Sequence, residues 1–152
     1  MQRRDDDPAS GKTEPYGLAI MRAKAESGPS PMMATMNFTL DEVEEGRAVF
    51  RGTPTPNHFN SSGVIHGGWA ATVLDSALGC VVATTLGEGE SYTTVEFKVN
   101  LIRPITGETG QLTCTGTLLS RGRRIATAEA RLVDGNGKLV AFGTETCIIL
   151  TA

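Results

Sequence analysis

Residues 64–86 carry a single formal negative charge, Asp75, in a run that is otherwise apolar or small. The run is led in by Asn60, Gly63 and His66-Gly67-Gly68, and its length and lack of alternation predict one helix from the glycine pair to about Leu86. Val73, Leu74, Ala77 and Leu78 flank Asp75, so the carboxyl group lies in a segment that favours burial. Burying an unpaired carboxylate is costly, and a raised pKa is the usual response. Asp75 is therefore a candidate acid, base or nucleophile. A membrane span is a poor fit. The run holds two leading glycines and several Ser and Thr, and a central Asp costs roughly 2.5–3.5 kcal/mol on insertion scales.

The chain of 152 residues suits one domain with one core. A net charge of -3 argues against a nucleic-acid partner. Cys80, Cys114 and Cys147 are odd in number and lack metal-ligand spacing, which fits reduced thiols in a cytoplasmic protein. The first apolar patch, residues 18–21, is short and followed by Arg22 and Lys24, so no secretory signal is read. Residues 1–14 are polar and predict a disordered lead, leaving 15–152 as a single domain with a short N-terminal helix.

That helix covers about residues 18–26 and ends at Gly28 and the Pro29/Pro31 pair. Residues 32–40 and 46–53 predict two strands joined by an acidic turn over 41–45, and 53–63 is a loop rich in Pro and Asn. After the central helix, residues 93–103 alternate, with Val95, Phe97, Val99 and Leu101 on one face and Thr94, Glu96, Lys98 and Asn100 on the other. Further strands are predicted over 111–119, 123–133 and 138–150, with turns at Arg121-Gly122 and Asp134-Gly-Asn-Gly137. The order β-β-α-β-β-β-β with short connections implies an antiparallel sheet. One long apolar helix and one such sheet pack economically only if the sheet curls around the helix. Ala70, Ala71, Ala77, Gly79, Cys80 and Ala83 would then meet Ala126, Ala128 and Ala130, small against small.

The run Asn60-x-x-Gly63-x-x-His66-Gly67-Gly68, the following Asp75, the strand Tyr92 to Pro104, Arg121-Gly-Arg123 and Ala141-Phe-Gly-Thr144 resemble the PaaI-like thioesterases of the hotdog-fold superfamily, related to the 4-hydroxybenzoyl-CoA thioesterases. The resemblance implies an α+β hotdog fold, a curved antiparallel sheet wrapped around one central helix. It also implies acyl-CoA thioester hydrolysis without metal or cofactor, by homodimers or tetramers built from dimers. By register, Thr94 matches the family's hydroxyl that contacts the water or the carboxylate, with Thr93 as a competing choice.

Two glycines before a helix leave N–H groups free at its positive end, where a substrate oxygen can come close. Gly67, with Gly68 beside it, is thus a candidate oxyanion donor; a tight loop-to-helix turn would need the same glycines. Asp75 could activate water or attack the carbonyl, or be a mid-helix Asp held by local hydrogen bonds. Asn60 could hold the water or the carboxylate, or serve the turn. His66 is assigned to shaping the oxyanion loop. Arg121, Arg123 and Arg124 could bind CoA phosphates, or be a solvated turn. The acyl group is expected near Trp69, Val73 and the N-terminal segment. Gly67 and Asp75 are eight positions apart, roughly 12 Å along a helix, so one carbonyl cannot lie against both in one subunit. Each site is expected to take Asp75 from one chain and Gly67 from another, across a two-fold axis. No GxSxG elbow, P-loop or dinucleotide fingerprint is present. Rival functions are a hotdog enoyl-CoA hydratase and a non-catalytic acyl-CoA-binding module.

Overall fold

The computed structural model describes residues 13–152. The expected polar lead therefore lies outside the described residues except for Thr13 and Glu14.

The central helix α3 runs from Gly67 to Ala83. From Ala77 to Ala83 every residue is buried, while Gly67, Gly68, Ala71, Thr72, Asp75 and Ser76 form a half-buried stripe along the first part. The helix stops short of the expected Leu86. The Thr84 and Thr85 hydroxyls donate back to Val81 O at 2.6 Å and Val82 O at 2.7 Å, and Thr84 Oγ1 also accepts Gly46 N–H at 2.9 Å. Such hydroxyls compete with the backbone pattern and favour an end there.

Six strands form one sheet, every neighbouring pair antiparallel, in the order β1-β2-β4-β5-β6-β3. They are β1 Phe38–Glu44, β2 Arg47–Gly52, β3 Glu90–Leu101, β4 Leu112–Arg121, β5 Ile125–Val133 and β6 Leu139–Thr151. The sheet packs on α3, and Ala126, Ala128 and Ala130 are buried against it as the small-residue pattern predicted. At Gly116 on β4 a Cβ would lie 2.8 Å from Ala77 O, so glycine is what lets strand and helix backbones touch.

Three predictions about the edges need correction. Residues 32–40 are not one strand: Pro31–Met36 form helix α2, and β1 begins at Phe38. Ser30 Oγ accepts Met33 N–H, Pro31 takes the first helical position, and Asn37 ends the turn at φ 56°. Asp41 to Glu44 belong to β1, and the turn is Glu45-Gly46, with Gly46 at φ 74°. On β3, a bulge between Thr94 and Glu96 breaks the simple alternation. Thr94 pairs with Cys147, and Phe97, Val99 and Leu101 pair with Glu145, Gly143 and Ala141. Thr94 thus joins the apolar residues on the side facing α3, not the opposite face.

Helix α1, Tyr16–Glu26, crosses the end of α3, where Gly17 N–H donates to Leu86 O at 2.9 Å. Among the described residues no helix is long and apolar enough to cross a membrane.

Candidate active site

His66 is the N-cap of α3, and its Nδ1 accepts Gly68 N–H at 2.8 Å. An accepting Nδ1 places the ring proton on Nε2 in the neutral ring, with the imidazole bound to the first turn of α3. A Cβ on Gly68 would lie 2.9 Å from that nitrogen, which accounts for the second glycine. Gly67 N–H is engaged by no acceptor among the described residues. It is a first-turn donor, left open at the positive end of a 17-residue helix. Asn60 uses its Oδ1 for the turn, accepting Ser62 N–H at 2.9 Å and Val64 N–H at 3.3 Å, which leaves its Nδ2 free of partners among the described residues. Asn60, Ile65, Gly67, Leu101 and Arg103 line one cavity of about 330 Å³. Asp75 is not in its wall.

Asp75 lies two turns farther on, in the half-buried stripe. Burial pushes its carboxyl up from the ordinary 3.8, and no hydrogen bond holds it among the described residues. α3 runs antiparallel to β3. A Cβ on Gly79 would sit 2.7 Å from Tyr92 Oη, and one on Gly67 would sit 2.6 Å from Leu101 Cδ1. Asp75 is one helical turn before Gly79, about 6 Å, and Thr94 is two strand residues beyond Tyr92, about 6.6 Å. Both steps run the same way, and Asp75 is near enough to Glu145, the partner of Thr94, for its charge to raise the Glu145 carboxyl pKa.

Thr94 Oγ1 donates not to Asp75 but to Glu145 Oε1, at 2.8 Å. Cys147 Sγ donates to the same oxygen at 2.8 Å. Burial pushes the Cys147 thiol up to about 12, with Glu145 acting in the same direction, so it remains a donor. Glu145 is absent from the sequence-based site. It is the one acid among the inward β6 residues Ala141, Gly143, Glu145, Cys147 and Ile149, a side that only the pairing of β6 between β5 and β3 reveals.

The remaining expected site residues separate. Trp69 is 1% exposed and donates its Nε1–H to Met36 O at 2.7 Å, and Val73 is equally buried, so both face the core. Arg121 is engaged by Glu90 at 2.5 Å, Thr85 at 3.2 Å and Gly122 O. Arg123 and Arg124 are exposed in the turn between β4 and β5. A second cavity, of about 530 Å³, opens between α1–α2 and α3, lined by Met21, Met33, Leu40, Phe50, Ser76 and Cys80. Among the described residues no cluster of three or more His, Cys, Asp or Glu could hold a metal ion.

Comparison with known proteins agrees with this architecture. The thioesterase superfamily matches residues 62–141, just over half of the chain. The medium/long-chain acyl-CoA thioesterase YigI of Escherichia coli K12 is 28% identical over 127 residues, covering 75% of this chain and 81% of that protein. A thioesterase family protein from Silicibacter pomeroyi superposes with a TM-score of 0.78 at 27% identity, over 90% of this chain and 99% of that one. The E. coli PaaI protein from the phenylacetic acid degradation operon shares the fold, with a TM-score of 0.79 at 17% identity over 92% and 98% of the two chains. A six-stranded antiparallel sheet on one long helix, with this match across its centre, makes the chain a hotdog-fold hydrolase of the thioesterase superfamily.

Proposed function

We propose that the protein hydrolyses acyl-CoA thioesters to free acid and CoA, at sites shared between two copies of the chain. The observation that carries this reading is the pairing of two unengaged groups on one helix, the half-buried Asp75 carboxyl and the Gly67 N–H. In the general-base route Asp75 takes a proton from water and the water oxygen bonds to the thioester carbon. The Gly67 N–H stabilises the oxyanion, the C–S bond breaks, and the CoA thiolate takes up the proton. In the nucleophilic route Asp75 itself attacks, and water opens the resulting anhydride. A carboxyl pKa raised by burial suits the first route. Asn60 Nδ2 and Thr94 position the water and the carboxylate.

Eight helical residues put Gly67 and Asp75 of one copy roughly 12 Å apart, so the two halves of each site come from different copies. The edge strand β3 supports a homodimer. It is 12 residues long, and Val95 and Leu101 on it are 51% and 58% exposed. A long apolar edge of this kind favours pairing with another chain. Dimers then pair into a homotetramer.

The cavity of about 530 Å³ under α1 and α2 is of ligand size and mostly apolar, which supports an aliphatic acyl group there in place of a site at Trp69 and Val73. The name of the YigI relative, a medium/long-chain acyl-CoA thioesterase, points the same way. Arg123 and Arg124 would meet the CoA phosphates. Residues 15–152 act as a single domain, and three free buried cysteines suit the cytoplasm.

The test is an acyl-CoA panel of graded chain length, read with a thiol-trapping dye, on wild type and D75N. Wild type should release CoA, and D75N should be at least about 100-fold slower with its fold intact. Full activity in D75N would remove Asp75 from the mechanism. Binding without CoA release would favour a non-catalytic acyl-CoA binder, and hydration of an enoyl-CoA would favour a hydratase.

A further inference from the structure

Glu145 is 1% exposed in the middle of β6, and its two oxygens are treated differently. Oε1 accepts from both Thr94 Oγ1 and Cys147 Sγ, each at 2.8 Å, whereas Oε2 is buried with no partner among the described residues. We propose that Glu145 is a positioning residue for the Asp75 reaction, one that fixes the direction of the Thr94 hydroxyl and so turns the Thr94 oxygen into an acceptor toward the site. The proposal rests on the thioesterase reading of Asp75.

A carboxylate would bury an unpaired charged Oε2, so two donors on one oxygen and none on the other favour the neutral carboxylic acid. An acid has one carbonyl oxygen that accepts and one O–H that donates. Oε1 is then the carbonyl, and Oε2–H is a donor that needs an acceptor.

The groups facing Glu145 favour the same state. Asp75 and, farther along, Cys80 come from α3. Tyr92 and Thr94 come from β3, with Glu96 on its far side, and Cys147 comes from β6. β5 presents Ala128 opposite it. None of these is a cation. Burial, and then the negative charges of Asp75 and Glu96, hold the Glu145 carboxyl above its ordinary 4.5 against the two hydrogen bonds that lower it. Asp75 is the more exposed of the two acids, so burial penalises its charged form less.

The consequence for chemistry is directional. Thr94 gives its only hydroxyl proton to Glu145, so toward the site its oxygen can only accept. An attacking water needs two acceptors and a lone pair aimed at the carbonyl. Asp75 takes one hydrogen, Thr94 Oγ1 takes the other, and the lone pair is left pointing at the substrate. A free Thr94 hydroxyl could instead donate to Asp75 and weaken the base. Thr94 is exposed and Glu145 buried, so the pair links the open side of β3 to a fixed point inside.

The test compares wild type, E145Q, E145M and D75N in kcat and KM over pH. Gln keeps the accepting oxygen and a donor in place of Oε2–H, so E145Q should stay within about threefold of wild type in kcat. Met fills the space without polar atoms, so E145M should lose at least about tenfold in kcat at nearly unchanged KM. A kcat in E145M equal to wild type, with D75N inactive, would overturn the proposal and leave the thioesterase reading intact. An E145Q as slow as E145M would overturn it too, because a charged Glu145 would then be required. An active D75N would overturn the reading of Asp75 and the proposal with it. Should E145M fail to fold, infrared difference spectra of wild type against E145Q decide. A protonated-carboxyl carbonyl band at neutral pH that E145Q lacks supports the proposal, and its absence overturns it.

Discussion

Thr94 Oγ1 on the edge strand lies 2.8 Å from Glu145 Oε1, a carboxyl oxygen that also receives the Cys147 thiol. A one-residue bulge at Val95 makes this contact possible by turning Thr94 to the helix side of β3. Thr94→Val should lower kcat about tenfold with little change in KM, while Thr94→Ser should recover most of the loss. Steady-state kinetics with one acyl-CoA checks this. Equal activity in all three would leave the hydroxyl without a role.

The buried Glu145 also bears on stability. Its folded pKa is above the ordinary 4.5, so the folded state binds a proton that the unfolded chain has released. That contribution is fully present below about pH 4.5 and is lost as pH climbs through the folded value. Denaturant midpoints of wild type should therefore fall as pH rises above about 4.5, and E145Q should fall less steeply. Parallel slopes in the two proteins would mean that Glu145 titrates normally.

His66 caps α3 through its Nδ1. Replacing its Nδ1 acceptor by His66→Ala should cost about 1 kcal/mol in urea unfolding, because Gly68 N–H is left open. Asn also caps, so His66→Asn should keep most of both stability and turnover. Loss of turnover in the Asn variant to the level of Ala would make His66 a candidate base.

Gly17 holds α1 against the end of α3. A Cβ there would lie 2.1 Å from Ala83 O, a backbone atom that cannot swing away. Gly17→Ala should destabilise the protein by about 1–3 kcal/mol and displace the roof of the cavity beside Met21. KM for long acyl chains should rise more than KM for short ones. A uniform change across chain lengths would place the acyl group elsewhere.

The architecture was legible because strong periodic signals carry it. An apolar run too long for a strand is α3, and short turns between alternating segments make the sheet antiparallel. Asp75 stood out as the one acid in that run. The bulge at Val95 was not legible, since a bulge shifts register without a mark in composition, and it moved Thr94 to the opposite face. α2 was missed although Ser30-Pro31 is a helix start, because six residues are too few to show a helical period. Glu145 was hidden for another reason. The residues Thr144-Glu145-Thr146 read as an ordinary polar strand, and only the pairing of β6 between β5 and β3 puts the middle one inside.

Sharing of each site between two chains can be measured by subunit mixing. Gly67→Pro removes the N–H at the first helical position, where proline is tolerated, and His66 already has the extended backbone that a following proline needs. D75N and G67P should each be nearly inactive alone. A mixed dimer pairs the intact Asp75 of one chain with the intact Gly67 of the other, giving one working site in two. With random exchange half the dimers are mixed, so the mixture should recover about a quarter of wild-type activity. A mixture no more active than its two components would mean that Asp75 and Gly67 serve their site from the same chain.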